Sequence, residues 1–249
     1  MHLLDNVIWN ALNTSQSHLG TACGAARKFH KEVSPLAGFS EVSDEAYGSL
    51  EELVDEGERA GLFLEADPKP PAKWRIVASL PLLQMLHESD IPATEETELP
   101  AFHRLGDADV PEMLALTKLT RPGPFATRTR EMGDYFGVRK GGMLVAMAGE
   151  RLRLPGFTEI SAVCTHPEHL GQGHARRLLT LLLGRIQGRG ERAFLHVRED
   201  NTRAVELYER IGFRKRASLR YALLTKESAA DPADKRRSKT PRILTDRHG

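Results

Sequence analysis

The stretch Ile160-Ser161-Ala162-Val163-Cys164-Thr165-His166-Pro167-Glu168-His169-Leu170-Gly171-Gln172-Gly173-His174-Ala175-Arg176-Arg177-Leu178 decides how the chain is read. Its first part is a strand, predicted over Phe157 to Thr165, and Pro167 ends the ladder because it has no N–H to donate. Beyond the turn, Ala175, Leu178, Leu179, Leu182, Leu183 and Ile186 recur at helical spacing and form one apolar stripe. The first N–H groups of such a helix lack internal partners, and the dipole adds roughly half a positive charge there. Gly171 and Gly173 let that backbone approach a pyrophosphate closely. Two familiar phosphate loops do not fit. A dinucleotide fingerprint needs a third glycine where Arg176 stands, and a P-loop needs a Gly-Lys-Ser/Thr run that is missing here. A Gly-x-Gly pair also serves a plain tight turn, so its surroundings carry the decision.

Working outward, Ala193 to Val197 reads as a strand and Thr202 to Arg210 as a helix closed by Gly212. Arg220 to Leu224 reads as a last strand. Upstream, Phe102 to Leu105 is a short strand and Asp107 to Leu119 a helix. Tyr135 to Arg139 and Met143 to Arg153 pair as an antiparallel hairpin through Gly141-Gly142. Residues 1–66 read as mostly helical, with candidates at Asn6 to Leu12 and Ser43 to Ala60. Asp67-Pro68-Lys69-Pro70-Pro71 is a rigid break, Trp74 to Ala78 a strand, and Leu80 to His87 an element of undecided type. The polar stretch Ile91 to Glu98 is read as a boundary. Three parts result: residues 1–97, a helical or mixed companion half or lid; 98–225, the main domain; and 226–249, a basic tail expected to be disordered.

The 249 residues carry a net charge of +1, unevenly spread. Residues 1–100 hold 7 Lys+Arg against 17 Asp+Glu, hence −10, and the rest hold 28 against 17, hence +11. The basic excess suits a phosphate-bearing ligand. Without a basic-aromatic stripe or a known motif, nucleic acid is not expected as a partner. No apolar run is long enough for a bilayer, so no membrane partner is expected either. Two distant cysteines, Cys23 and Cys164, make no disulfide framework and suit the cytoplasm. His166, His169 and His174 lack a metal-ligand pattern, and no metal is expected.

These residues resemble the GNAT superfamily of CoA-dependent N-acetyltransferases, over roughly Ala101 to Leu224. The family motif Arg/Gln-x-x-Gly-x-Gly/Ala maps onto Leu170-Gly171-Gln172-Gly173-His174-Ala175, with Leu170 departing from it. A second family segment, Asn-x-x-Ala-x-x-x-Tyr-x-x-x-Gly-Phe, maps onto Asn201 to Phe213. The resemblance implies an α+β fold with a mixed, mostly antiparallel sheet flanked by helices, here with an additional mostly helical N-terminal region. It implies acetyl-CoA as co-substrate and an amine acceptor, by direct attack through a tetrahedral intermediate. It places the cofactor against Val163, Cys164 and Thr165, against Leu170, Gly171, Gln172, Gly173, His174, Ala175 and Arg176, and against Asn201. Tyr208 then corresponds to the acid that protonates the departing thiolate.

Glu159, which strand periodicity puts on the face of Ser161, Val163 and Thr165, is the expected general base. His196 is the alternative base, or else a packing histidine. Cys164 fits a buried small hydrophobe better than a nucleophile. Arg121 and Phe125 lie in a loop expected near the acceptor. A non-catalytic acyl-CoA sensor and a transferase using a longer acyl chain stand as the other readings. Acceptor identity and oligomeric state are not encoded in any pattern of the chain.

Overall fold

The computed structural model describes residues 2–89 and 102–227. Eight of the eleven strands among the described residues join one sheet. In chain order these are β4 (Arg59–Leu64), β5 (Trp74–His87), β6 (Phe102–Arg104), β7 (Tyr135–Lys140), β8 (Met143–Leu154), β9 (Phe157–Thr165), β10 (Arg192–Arg198) and β11 (Phe213–Lys226). Their order across the sheet is β4-β11-β5-β10-β9-β8-β7-β6. A smaller sheet, β1 (Gly20–Cys23), β2 (Ala26–Phe29) and β3 (Ala37–Phe39), touches the large one through a parallel bridge from Leu36 to Gly61.

Five α-helices flank the sheets: α1 (Val7–Asn13), α2 (Asp44–Glu51), α3 (Val110–Thr120), α4 (His174–Gly188) and α5 (Thr202–Ile211). Strand alternation sends successive side chains to opposite faces. On β10, Leu195 and Val197 pack with Leu178, Leu179, Leu182, Leu183 and Ile186 of α4. Phe194 turns the other way, into a core with Val7, Ile8, Ala11 and Leu12 of α1. All five of the named α4 side chains are fully buried, so this helix is held chiefly by its apolar stripe. Burying each contributes about 1.5–3 kcal/mol before chain entropy is set against it.

Where the elements differ from expectation, the cause is local. Ser43 caps α2 by accepting from the Ala46 N–H at 3.1 Å, as its sequence suggests. The helix stops at Glu51, and Gly57 (φ 74°) turns the chain, rather than running to Ala60. Strands β1 to β3, of three or four residues each, lie inside the segment expected to be mostly helical, because so short a strand carries no readable alternation. β5 takes up both Trp74 to Ala78 and the undecided Leu80 to His87. β11 is 14 residues long and pairs antiparallel with β5 from Phe213↔His87 to Lys226↔Trp74, far beyond the predicted Arg220 to Leu224. The predicted boundary at 91–98 and the tail beyond Glu227 lie outside the described residues. Among the described residues no helix is long and apolar enough to cross a membrane.

Candidate active site

β9 and β10 run parallel but stay together only briefly. Their register is Arg192↔Phe157, Ala193↔Thr158 and Phe194↔Glu159, and it ends there, although β9 continues to Thr165 and β10 to Arg198. The strands separate because β9 is bulged against β8. Met147 pairs with Cys164 but Gly149 with Ser161, which leaves one extra residue on β9, and Ala162 at that point has φ 52°. A left-handed alanine costs roughly 1–3 kcal/mol and persists only where its surroundings impose it.

The opening is a cleft of about 690 Å³. Val163, Cys164 and Thr165 line one wall, with Asn201 and Tyr208 of the α5 segment on the other. Asn201 caps α5, its Oδ1 accepting from Ala204 N at 3.3 Å. Tyr208 is 9% exposed, and its ring stands edge-on to Phe213 with centroids 5.9 Å apart. Burial, with Cys164 nearby, pushes the phenol up to about 12, so it carries its proton throughout the neutral range. Burial likewise pushes the Cys164 thiol up to about 11, which leaves it an unreactive neutral group.

Beyond Thr165 the chain turns through Pro167–His169 into α4. Gly171 (φ 77°) and Gly173 (φ 75°) are both left-handed, and a Cβ on either would meet nothing within 4 Å. Gly173 is the N-cap and gives no side-chain hydrogen bond, so the opening N–H groups of α4 depend on an outside acceptor. The open space over two glycines and an uncapped helix start fits a pyrophosphate. His174 is buried, with Nε2 3.2 Å from Gln172 Oε1 and Nδ1 unpartnered among the described residues. Leu170 is half exposed, Ala175 half-buried, and Arg176 exposed at the edge of this loop.

Glu159 is placed differently from the expectation. Its carboxylate is fully buried and accepts from Arg151 Nε at 2.8 Å and Arg151 Nη2 at 2.6 Å. The Leu152 N–H also reaches it at 3.3 Å. The Arg151 charge outweighs desolvation and holds the carboxyl near 2, which makes it too weak a base to take a proton from an ammonium group. Glu159 does not line the cleft either. The period-two argument failed because the bulge at Ala162, where β9 carries one extra residue against β8, breaks the alternation between Glu159 and Thr165.

What Glu159 does touch is His196, whose Nδ1 lies 2.7 Å from its Oε1. His196 lines the cleft. Gln84 fixes the tautomer. Its Oε1 accepts from Arg216 Nη1 at 2.7 Å, so its amide nitrogen faces Leu4 O at 3.0 Å and His196 Nε2 at 3.1 Å. An amide nitrogen only donates, so Nε2 accepts and Nδ1 carries the hydrogen to Glu159. Burial lowers the imidazole pKa and favours this neutral form. Arg151, Gln84, Phe63, Tyr221 and Leu36 escaped the sequence reading; all but Gln84 line the cleft, and Leu36 and Phe63 come from the N-terminal region. Arg151 stood out no more than its charged neighbours Glu150 and Arg153 on the same strand.

Residues 135–222 match the model of the FR47-like protein family. Over 101 residues the chain is 41% identical to N-alpha-acetyltransferase RimI of Mycobacterium tuberculosis, covering 38% of this chain and 63% of that one. An uncharacterized protein of Mycobacterium leprae is 34% identical over 152 residues, 56% of this chain and 42% of its own length. The chain thus spans less than two thirds of either curated relative. A crystal structure described as a GNAT-family acetyltransferase from Novosphingobium aromaticivorans superposes with a TM-score of 0.84 at 37% identity, over 92% of this chain and all of the other. With that likeness running through both the N-terminal region and the splayed β9–β10 pair, the chain belongs to the GNAT family of acetyltransferases.

Proposed function

We propose that this protein transfers an acetyl group from acetyl-CoA to an amine, within the cleft between β9 and β10. The observation that supports this most is the parallel ladder that stops at Glu159/Phe194 and opens between a glycine-built anion cradle and a buried, protonated tyrosine. Gly171 to Ala175 would hold the pyrophosphate through backbone N–H groups, with Arg176 at the rim. Val163, Cys164 and Thr165 lie where β9 has parted from β10, and offer that edge to an extended amide-bearing arm, with Asn201 opposite. Oriented backbone donors at a carbonyl stabilise the charge that develops on its oxygen.

In the reaction the C–N bond forms first, giving a tetrahedral intermediate whose collapse breaks the C–S bond. The amine gives up a proton, and Tyr208 delivers one to sulfur. His196 is the group we assign as base: Nε2, which accepts from the Gln84 amide in this structure, takes the proton once the incoming amine displaces that amide, and Glu159 is a positioning residue that anchors Nδ1–H. General catalysis of this kind contributes about 10²–10⁴-fold. The acceptor end is walled by Leu36, Phe63, Leu82 and Tyr221, a largely apolar and aromatic surface. The name of the relative from M. tuberculosis makes the α-amine of a peptide the first acceptor to try.

The test is a thiol-release assay with acetyl-CoA and a panel of peptides bearing free N-termini, run beside thermal-shift titrations with acetyl-CoA, longer acyl-CoAs and CoA. A ligand that binds only the folded state raises its apparent stability by mass action. A saturable shift with turnover on some amine supports the transferase. Binding without turnover on any amine favours an acyl-CoA sensor, and the absence of any shift would overturn the reading.

A further inference from the structure

A second groove lies where the small sheet meets the large one. β3 and β4 run parallel and touch at Leu36↔Gly61, with the Gly61 N–H donating to Pro35 O at 2.8 Å, and then part. Between them opens a cavity of about 440 Å³. This repeats, in the first part of the chain, the device that makes the β9–β10 cleft. β1-β2-β3 is an antiparallel run followed by a helix, α2, and a parallel strand, β4, as β7-β8-β9 is followed by α4 and β10. The large sheet is symmetric in the same sense: β4 lies beyond β11 as β10 lies beyond β5.

The repeat has lost the means to hold phosphate. Where the catalytic part has Leu170-Gly171-Gln172-Gly173, the loop from β3 to α2 is Ser40-Glu41-Val42-Ser43, without glycine. Ser43 already caps α2, and Asp44 and Glu45 occupy its first turn. An anion is therefore repelled there.

What remains is a slot with an apolar floor, Ile8, Phe39, Leu62, Leu64 and Leu219 among its lining, beneath an acidic rim. Asp5, Glu41, Glu65 and Asp67 face Lys69 across it. Asp5 is held by Arg216 and Asp67 by Arg220, at 2.8 Å for the latter. Glu41 and Glu65 are exposed and have no ion-pair partner among the described residues. Tyr47 also lines the slot. It is 2% exposed, and its hydroxyl has no hydrogen-bond partner among the described residues. Along β3 the pairs 36/29 and 40/25 bond to β2, so alternation turns the Phe39 backbone towards the gap. Gly61 bonds across the gap, so the same alternation turns the Phe63 backbone into it from β4. Asn6 Nδ2 already donates to Phe39 O at 2.7 Å, as an inserted strand would.

We propose that this groove is a second ligand site, which takes a short extended cationic peptide segment as an added strand between β3 and β4. Main-chain hydrogen bonds to the two edges supply affinity, alternate apolar side chains enter the floor, and basic side chains meet Glu41 and Glu65. The site borders the catalytic cleft through Phe63, which lines both. It does not depend on the transferase reading.

The probe is Arg-Val-Arg-Val-Arg-amide with carboxyfluorescein on its N-terminal nitrogen, which leaves no primary amine and so cannot serve as an acceptor. Its anisotropy is followed on the full chain with saturating acetyl-CoA present, beside the matching glutamate peptide. Saturable binding of the basic peptide alone is expected. The exposed double variant Glu41→Lys with Glu65→Lys should weaken it by about tenfold through lost charge complementarity. A second variant, Ala66→Trp at the exposed mouth, should block it. The acetyl-CoA thermal shift should stay unchanged in both variants, which separates this site from the catalytic cleft. Equal binding of the glutamate peptide, no binding of the basic one, or binding that neither variant alters would each overturn the proposal.

Discussion

Glu159 Oε1 lies 2.7 Å from His196 Nδ1, and both side chains are closed off from solvent in the crotch where β9 and β10 part. The contact couples a permanently charged pair, Arg151–Glu159, to a neutral imidazole on the cleft wall. It also continues through Gln84 and Arg216 to Asp5 of the N-terminal segment. Residues far apart in the chain thus fix one tautomer on the cleft wall.

Replacing Glu159 separates positioning from charge. Glu159→Gln should leave acetyl-CoA binding intact, lower kcat by about 10–100-fold as an outer hydrogen-bond partner, and move the acid limb of the pH–rate profile. Glu159→Ala leaves the Arg151 guanidinium buried and unpaired and should cost about 3–5 kcal/mol of stability by denaturant titration. A Gln variant with wild-type kcat and profile would rule out the positioning role.

Stability should fall in acid in two stages. The Glu159 carboxyl sits near 2 in the folded protein against an ordinary 4.5, so its contribution is complete above about 4.5 and is lost as pH falls through about 2. His196, lowered by burial from 6.5, is neutral in the fold, so unfolding takes up a proton and stability is lost as pH falls below 6.5 towards its folded value. Denaturation midpoints between pH 8 and 2 would show both, and His196→Gln should remove the upper stage.

Tyr208→Phe should lower kcat by about 10²–10⁴-fold while the acetyl-CoA thermal shift is retained. Since the phenol is pushed up to about 12, the wild-type rate should show no alkaline loss from this group below about pH 11. A variant of undiminished kcat would exclude Tyr208 as the acid.

At Gly173, φ 75° and the open space above it make any side chain both strained and obstructive. Gly173→Trp should abolish the acetyl-CoA thermal shift, which in the wild type amounts to about 2.7 kcal/mol at 100 times Kd. A shift of wild-type size would remove the loop from the binding site.

Leu182 is fully buried between α4 and the sheet, and Leu182→Ala should cost about 2–5 kcal/mol, read as a lowered denaturation midpoint.

Most of the second half was legible in the residues. Helices α4 and α5 show unbroken apolar spacing or a clear cap and stop, and β9 starts and ends where Phe157 and Thr165 suggested. The glycine loop could be picked out because left-handed backbone at 171 and 173 favours glycine, whereas Tyr208 was singled out only through the resemblance of Asn201 to Phe213 to the family segment. The short strands β1 to β3 were not legible, since three or four residues hold no period and only pairing partners make them strands.

The chain by itself therefore determined the family resemblance, the glycine turn before α4 and, through that resemblance, the candidate acid, all of which reside in contiguous residues. Tertiary structure alone decided that Glu159 is an anchor, because Arg151 comes from the neighbouring strand and bulges reset the faces between them. It also decided that Leu36 and Phe63 help wall the cleft. Pairing across a sheet depends on which strands become neighbours, and β5, inserted between β10 and β11, buries both faces only over Leu82 to His87, where β10 and β11 flank it.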